Sequence, residues 1–234
     1  MARPFLPSFA EPARRPKRIS GARTLVVFGA GGHGRVAADC AEAMREASRA
    51  GWREVVFLDP AYKDMKESGR WPVRGPDDAI GDFDQDATDC FVGIGDNAVR
   101  RRVQERVAGL GFRLVVLIHP HATLGSAVAI GDGTLVMPRA VINFGATLGD
   151  GVIVNTGAII EHDCQVGSWT HLAPASVLGG DVKVGERCLV GIGAQVLPGV
   201  GICDDAVIGG GATVARSIAD PGSYAGTPAR RIKS

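Results

Sequence analysis

Residues 141–178 read VINFGATLGDGVIVNTGAIIEHDCQVGSWTHLAPASVL, and an aliphatic residue returns in this stretch at every sixth position. The same period continues without interruption from Leu124 to Val214. Four places after each aliphatic residue stands a small or β-branched one. A period of six matches neither the 3.6-residue turn of an α-helix nor the alternation of a plain strand. It predicts short strands joined by corners, with one aliphatic side chain per strand pointing to a central axis.

Three such strands close a coil of eighteen residues, so residues eighteen apart stack at about the 4.8 Å spacing of neighbouring strands. Each coil then covers the backbone and the aliphatic side chains of the next. We therefore predict that residues 120–234 form a parallel β-helix of hexapeptide repeats with a C-terminal tail. The period leaves the handedness open, since parallel crossovers are normally right-handed. Cys164 and Cys188 occupy the small-residue positions, where we expect packing rather than chemistry.

The first half of the chain has a different pattern. Residues 24–28 form a short apolar run, followed by the glycine-rich segment GAGGHG at residues 29–34 and an amphipathic stretch. Further strands are predicted at 54–58, 90–94 and 113–118. This order predicts a small Rossmann-like α/β domain with a parallel sheet over residues 23–119.

The glycine-rich segment lies between a strand and a helix, where glycines let backbone N–H groups approach a phosphate. Gly31, Gly32 and His33 belong to this segment, Asp59 ends the second predicted strand, and Gly95 follows the third. We interpret the domain as binding a nucleotide or nucleotide sugar. NAD is an alternative, but the domain is about half the usual dinucleotide-binding size. A merely structural loop is the other alternative.

Composition excludes several classes of function. The net charge of +1 provides no field for nucleic acid or an anionic membrane. No apolar run approaches the roughly 18 residues of a membrane span. Five cysteines without a CxxC pair argue against a disulfide framework and for a reducing compartment, so we expect a cytoplasmic protein. Residues 1–22, rich in Pro and Arg, are predicted to be a disordered basic arm.

His162 is the histidine most suggestive of chemistry, because Glu161 and Asp163 flank it directly after an aliphatic ladder position. A histidine beside a carboxylate is suited to act as an oriented general base. An ordinary exposed corner would give the same string. His119 and His121 are expected to be surface linker residues. A γ-type carbonic anhydrase would need three converging histidines and a zinc ion, and we expect no metal here.

Six segments of the chain carry a more specific resemblance. They are VVFGAGGHGRVAADCAE, VFLDP, VGIGDN, VNTGAIIEHDCQVGSWTHLAPAS, LVGIGAQVLPGV and AGTPARRI, which start at residues 26, 56, 92, 154, 189 and 225. In this order they resemble the bacterial nucleotide-amino-sugar N-acetyltransferases, which acetylate UDP-linked 4-amino-4,6-dideoxy sugars and are related to GDP-perosamine and sialic acid acetyltransferases. The resemblance covers the chain from about residue 24 to its end. It implies a left-handed β-helix and acetyl-CoA as cosubstrate.

The resemblance also implies roles for individual residues. His162 would be the base, with Asp163 raising its basicity. Gly31, Gly32 and His33 would hold the nucleotide sugar, with Asp59 and Gly95 nearby. The residues expected to touch acetyl-CoA are His171, Ile192 and Gly210. The nucleotide base, O-acetylation in place of N-acetylation, and a non-catalytic nucleotide-sugar-binding protein all stay open.

Counting along the coil adds two expectations. Gly180 lies eighteen residues after His162, so its backbone N–H is a candidate oxyanion donor on the same corner. His162 and His171 are nine residues apart, half a coil, and so face different sides of the prism. Since the resemblance assigns both to one reaction, we expect a homotrimer whose active sites lie between subunits. No cysteine is placed to form an acyl-enzyme, which predicts direct attack on the thioester.

Overall fold

A computed structural model describes residues 23–232, so the predicted N-terminal arm at residues 1–22 lies outside the described residues. Within this range the chain forms two compact units, residues 23–120 and 121–232. Neither of the two α-helices in the described range has the length and apolar character that crossing a membrane requires.

The first unit is an α/β domain. Its elements are β1 Arg23–Phe28, α1 Gly32–Glu46, β2 Trp52–Leu58, β3 Glu67–Ser68, β4 Trp71–Gly75, β5 Thr88–Val92, α2 Asn97–Gly109, β6 Arg113–Leu114 and β7 Leu117–Ile118. Six of these strands form a sheet in the order β3-β4-β2-β1-β5-β6. The strand pairs in this sheet are parallel except β3 with β4. Short 3₁₀ turns at Asp77–Asp82 and Gln85–Ala87 join β4 to β5.

The core of this domain is built from the apolar runs that the sequence shows. All but the first residue of β1 and every residue of β5 are buried, as expected for central strands with both faces covered. Asp89 differs from the other buried residues of these two strands in carrying a charge: it is fully buried and accepts hydrogen bonds from Arg23, Arg113 and the Trp52 indole. A buried carboxylate needs such partners, and these three tie β1, β2 and β6 to β5.

The structure of this domain departs from the prediction in two places. The fourth predicted strand, residues 113–118, is divided into β6 and β7. The hairpin of β3 and β4 was not predicted, because residues 67–75 show no alternation of apolar and polar side chains.

The second unit is a parallel β-helix with three faces, each a stack of strands that are mostly two residues long. The first face holds Leu135–Val136, Ile153–Val154, His171–Leu172, Leu189–Val190 and Ala206–Ile208. The second holds Thr123–Leu124, Val141–Ile142, Ile159–Ile160, Val177–Leu178, Gln195–Val196 and Thr213–Val214. The third holds Ala129–Ile130, Thr147–Leu148, Gln165–Val166, Lys183–Val184 and Gly201–Ile202.

Strand pairing in the β-helix follows the eighteen-residue coil. Ile160, for example, pairs with Ile142 on one side and Leu178 on the other. All three side chains are fully buried, so the predicted aliphatic ladder is the core of this unit. Strands Gly222–Ala225 and Arg230–Arg231 cover the end of the first face, the latter in antiparallel pairing.

Each corner of the β-helix has three residues, and the third adopts positive φ in every complete coil. Glycine fills this position in many coils, but Asp163 takes it with φ of 61° and Asp181 with φ of 55°. Asp is among the residues that tolerate this conformation. The corner that carries His162 is therefore built with carboxylates where many other corners have glycine.

Candidate functional site

A cavity of about 700 Å³ opens in the α/β domain at the carboxyl ends of β1, β2 and β5. The sequence-predicted residues Gly31, Gly32, His33, Asp59 and Gly95 all line it. Ligands of open parallel sheets bind at this edge, where the helices that follow the strands also begin. The structure thus brings all five residues together around one space.

The glycines around this cavity divide into two groups. A Cβ on Gly34 would lie 1.8 Å from the Gly29 carbonyl oxygen, and one on Gly93 would lie 2.6 Å from the Gly34 Cα. These two positions serve backbone packing. By contrast, a Cβ on Gly31, Gly32 or Gly95 would meet no atom within 4 Å. Those glycines keep the cavity open.

Asp59 fixes the glycine-rich loop. Its Oδ2 accepts a hydrogen bond from the Ala30 N–H at 2.7 Å, and its Oδ1 accepts one from the Ala61 N–H at 2.8 Å. Since both oxygens already hold backbone groups, the direct effect of this carboxylate is to set the shape of the loop. Any contact of Asp59 with a ligand would add to that role.

His33 lies at the start of α1 and is partly buried. Burial, and secondly the charge of Arg100, lowers the pKa of its imidazole to about 4, so His33 is neutral at physiological pH. Arg100 is fully buried and donates to the carbonyl oxygens of Ile94 and Gly95, at 3.1 and 3.0 Å. It therefore holds the second glycine turn, and its charge adds to the larger effect of burial on the pKa of His33.

Sequence reasoning missed three charged residues of this cavity. Arg102 and Arg106, four apart on α2, line it together with Asp77. Arg106 forms ion pairs of 3.2 Å with Asp77 and Asp78. Burial, as the largest influence, raises the pKa of Asp77. The spacing of the two arginines beside a glycine turn was a usable signal in the sequence, whereas nothing in the sequence marks Asp77.

The second group of predicted residues meets at a corner of the β-helix after the second face, formed by Glu161, His162 and Asp163. We call it the His162 corner. The imidazole Nδ1 lies 2.9 Å from Asp163 Oδ2. The side chain of His162 is 61% exposed, and the hydrogen bond with Asp163 is the largest influence raising the pKa of His162 above its ordinary value of 6.5. Because Nδ1 donates to a carboxylate, Nε2 is the ring nitrogen available as a base.

Two glycines make room for this pair. A Cβ on Gly180, one coil on, would lie 2.6 Å from His162 Nε2. A Cβ on Gly145, one coil back, would lie 2.8 Å from Asp163 Oδ1. The imidazole thus packs directly on the backbone of Gly180, as the count of eighteen predicted.

His171 lies on the first face and belongs to a different part of the prism. Its Nε2 is 3.1 Å from the side-chain Nδ2 of Asn155, whose Oδ1 accepts from the Thr156 N–H. An amide nitrogen can only donate, so Asn155 makes Nε2 of His171 an acceptor and places the proton of the neutral ring on Nδ1. Sequence reasoning missed Asn155, although it stands in the VNTG segment.

Ile192 and Gly210 stack on the corner that follows the first face, which we call the Ile192 corner. The Ile192 side chain is 66% exposed, and a Cβ on Gly210 would lie 3.3 Å from the Ile192 carbonyl oxygen. Asn155, which contacts His171, is the first residue of the equivalent corner two coils earlier. The predicted acetyl-CoA residues therefore share one edge of the β-helix, and the His162 corner is another edge. A single chain does not bring the two groups together.

Within residues 23–232, no group of three or more His, Cys, Asp or Glu side chains is arranged to hold a metal ion. All five cysteines are buried and free of disulfides. Burial raises the pKa of Cys40, Cys90 and Cys188 to about 12, which keeps these thiols protonated and unreactive.

Comparisons with known proteins agree with the division of the chain into an α/β domain and a β-helix. Residues 24–107 match the family described as the PglD N-terminal domain, and residues 113–204 match the GMPPB C-terminal domain. Among curated proteins, the UDP-N-acetylbacillosamine N-acetyltransferase of Bacillus subtilis (strain 168) is 36% identical over 118 residues. That match covers 49% of this chain, and the chain spans only about half, 51%, of that relative's length.

Solved structures extend the likeness over nearly the whole chain. The acetyltransferase domain of PglB from Neisseria gonorrhoeae FA1090 in complex with acetyl coenzyme A is 37% identical with a TM-score of 0.86, covering 91% of this chain and 100% of that one. PerB from Caulobacter crescentus in complex with CoA and GDP-perosamine is 37% identical with a TM-score of 0.80, covering 91% and 98%. This likeness confirms the predicted fold, a Rossmann-like domain followed by a left-handed β-helix.

Proposed function

Because this chain belongs to the nucleotide-amino-sugar N-acetyltransferases of the hexapeptide-repeat superfamily, we propose that it transfers the acetyl group of acetyl-CoA to the 4-amino group of a nucleotide-linked 4-amino-4,6-dideoxy sugar. A UDP-linked sugar is favoured, and the protein would act in the cytoplasm. The observation that supports the chemistry most directly is the His162–Asp163 pair at 2.9 Å, packed on Gly180.

The proposed reaction begins with the sugar amine, which must be neutral to attack. His162 Nε2 accepts a proton from it, while Asp163 stabilises the imidazolium that forms. The amine nitrogen then bonds to the thioester carbonyl carbon, giving a tetrahedral oxyanion. Gly180 N–H donates to that oxyanion, a contribution of about 3 kcal/mol for one such donor. The C–S bond breaks, the CoA thiolate takes up the second proton that the former amine nitrogen must lose, and the imidazolium of His162 releases the first proton to solvent.

The nucleotide sugar is assigned to the cavity of the α/β domain. The first N–H groups of α1, behind Gly31 and Gly32, suit a diphosphate. Arg102 supplies positive charge beside them, and neutral His33 can exchange hydrogen bonds with the ligand without adding charge. Gly31, Gly32 and Gly95 leave the space that a bound phosphate or ribose would occupy.

Acetyl-CoA is assigned to His171, Ile192 and Gly210. Since the His162 corner and the Ile192 corner are different edges of one β-helix, we propose a homotrimer in which His162 of one subunit faces His171 of its neighbour. Three prisms around an axis repeat that groove three times in a closed arrangement.

The test is a panel of UDP-, GDP- and dTDP-linked 4-amino sugars, each incubated with acetyl-CoA. Release of the CoA thiol together with a mass gain of one acetyl group supports the proposal, and fragmentation locates the acetyl group on nitrogen or oxygen. No thiol release with any member of the panel, from folded protein, would reject it. An acetyl ester on a hydroxyl would convert it to an O-acetyltransferase.

A further inference from the structure

Among the described residues of the β-helix, four inward-facing side chains make the same hydrogen bond. Each hydroxyl or thiol donates to the backbone carbonyl fifteen residues later, which belongs to the first residue of a corner in the next coil. The pairs and distances are Thr134 to Gly149 at 3.1 Å, Cys164 to Gly179 at 3.1 Å, Thr170 to Gly185 at 2.7 Å and Cys188 to Cys203 at 3.0 Å. The device ties one coil to the peptide at the next corner.

Three of these four side chains, at positions 134, 170 and 188, serve the corner that follows the third face. Cys164 alone of the four serves the His162 corner. In its own column the residues at 128, 146, 182 and 200 are valine or alanine, which cannot donate. The one donor of that column therefore stands in the same coil as His162, two positions after it.

The carbonyl that Cys164 holds belongs to the peptide bond between Gly179 and Gly180. The N–H of the same peptide plane is the Gly180 N–H, on whose residue the His162 imidazole packs. We infer that Cys164 is a positioning residue: from inside the prism it orients and polarises the peptide that donates to the oxyanion. This inference rests on the function proposed above, in which Gly180 stabilises the tetrahedral intermediate.

The Cys164 thiol is suited to this positioning role, and its burial excludes direct contact with the substrates. Cys164 is fully buried, so neither substrate nor acetyl-CoA can reach its sulfur. Burial raises its pKa to about 11, which keeps the S–H available as a donor at physiological pH. The Val182 N–H points to the same sulfur. Cys164 thus occupies the place that the hydroxyl of Thr170 has at the other corner, between the carbonyl of Gly185 and the N–H of Cys188.

The expected effect is modest. A hydrogen bond to the carbonyl of a peptide strengthens donation by its N–H, by about 10–30% per bond. One oxyanion donor accounts for roughly 10²–10³ in kcat. If removing the S–H weakens this oxyanion donor by about 10–30%, its contribution to log kcat falls by the same fraction of roughly two to three. This predicts a fall in kcat of about two- to eightfold. Both KM values should stay unchanged, because the ground-state contacts are not touched.

The experiment compares Cys164→Ala with Cys188→Ala, which removes the same kind of bond and the same volume at a corner away from His162. We expect kcat to fall two- to eightfold in Cys164→Ala only, while the pH profile keeps its acid limb because the His162–Asp163 pair is intact. Cys164→Thr should retain kcat, since Thr134 and Thr170 make the equivalent bond. Cys164→Val, with the side chain found at 182 and 200, fills the column without a donor and should behave as alanine does.

Equal losses of kcat in the Cys164→Ala and Cys188→Ala variants would overturn the inference and leave Cys164 a packing residue. So would a Cys164→Val enzyme as fast as wild type, which also covers the case in which the alanine variant fails to fold. Failure of the proposed function has a different signature. There, the wild-type protein releases no CoA with any amino-sugar nucleotide, or Cys164→Ala slows acetyl transfer while His162→Ala does not.

Discussion

Two histidines show how differently the two units of this molecule treat a polar site. His33, in the α/β domain, is partly buried beside Arg100, and its pKa falls to about 4. His162, on the β-helix, is 61% exposed beside Asp163, and its pKa is raised. The first ring cannot gain a proton near neutral pH, whereas the second is built to do so. The imidazole that we propose binds substrate and the one that we propose acts as a base thus differ in burial and in the sign of the neighbouring charge.

The surroundings of the two histidines differ in the same sense. His33 lines a cavity of about 700 Å³ whose walls come from one chain. His162 projects from a corner, and the residues assigned to acetyl-CoA lie on another edge of the prism. Enclosure strengthens the electrostatic interactions that catalysis needs. In the proposed trimer, the exposed corner is therefore a half-site that a second subunit completes, whereas one chain supplies all the walls of the cavity.

Removing His162, the proposed general base, should have the largest effect. His162→Ala is expected to lower kcat by at least about 10², the range for losing a general base. The fold should survive, because the side chain is 61% exposed and lies outside the aliphatic core of the β-helix. Steady-state kinetics with the thiol-release assay, alongside circular dichroism, measure both. Retained activity in a folded variant would place the base elsewhere.

The proposal that two subunits share one active site can be tested by mixing variant subunits. His162→Ala and His171→Ala are each expected to be inactive, and unfolding and refolding an equal mixture should restore activity. If each groove takes one histidine from either neighbour, about one groove in four receives both intact, so about a quarter of wild-type activity returns. The two variants refolded separately and then combined are the control.

Failure to regain activity, with subunit exchange proven by differently tagged chains, would reject the shared site. So would an active monomer in solution.

Binding at the cavity should respond to a different substitution. A Cβ on Gly32 would meet no atom within 4 Å, so we expect Gly32→Val to fill ligand space without straining the fold. We expect the KM for the nucleotide sugar to rise at least about tenfold, from lost phosphate contacts, and the KM for acetyl-CoA to stay near wild type. Gly109→Val is the matched control, since that position is equally open but does not line the cavity. A rise in the acetyl-CoA KM instead would mean that the two sites are assigned the wrong way round.

The sequence predicted the β-helix well because its repeat is a direct consequence of packing. Ladder positions such as Ile142, Ile160 and Leu178 must be aliphatic to fill the axis, and all are fully buried. Leu124 follows the same period but is 37% exposed, because its strand stands at the edge of the second face. Periodicity could not reveal this end effect.

Prediction of the sites was more uneven. Glycines and the histidine between two carboxylates carry a local signal, and the structure brings them together in the expected groups. Asp77 and Asn155 reach their places only through tertiary packing, so spacing along the chain cannot identify them. The Cys164–Gly179 bond was hidden for a related reason: a buried cysteine in a small-residue ladder looks like packing until its partner is known.

The smallest expected effect concerns the pKa of His162 itself. The hydrogen bond with Asp163 raises this pKa most, and Asp181, one coil on, contributes through its charge to a smaller extent. A base works when deprotonated, so activity falls as the pH drops through its pKa. Asp163→Asn removes the charge but keeps a residue that tolerates the φ of 61°. It should therefore lower the pKa of His162 and move the acid limb of the kcat/KM profile to lower pH.

Asp181→Asn, at the equivalent corner position with φ of 55°, is the matched control and should move the acid limb in the same direction but less. The pH dependence of kcat/KM for the two variants decides the matter. A shift in Asp163→Asn no larger than that in Asp181→Asn would mean that the general field of the acidic corner, rather than the bonded carboxylate, sets the basicity of His162.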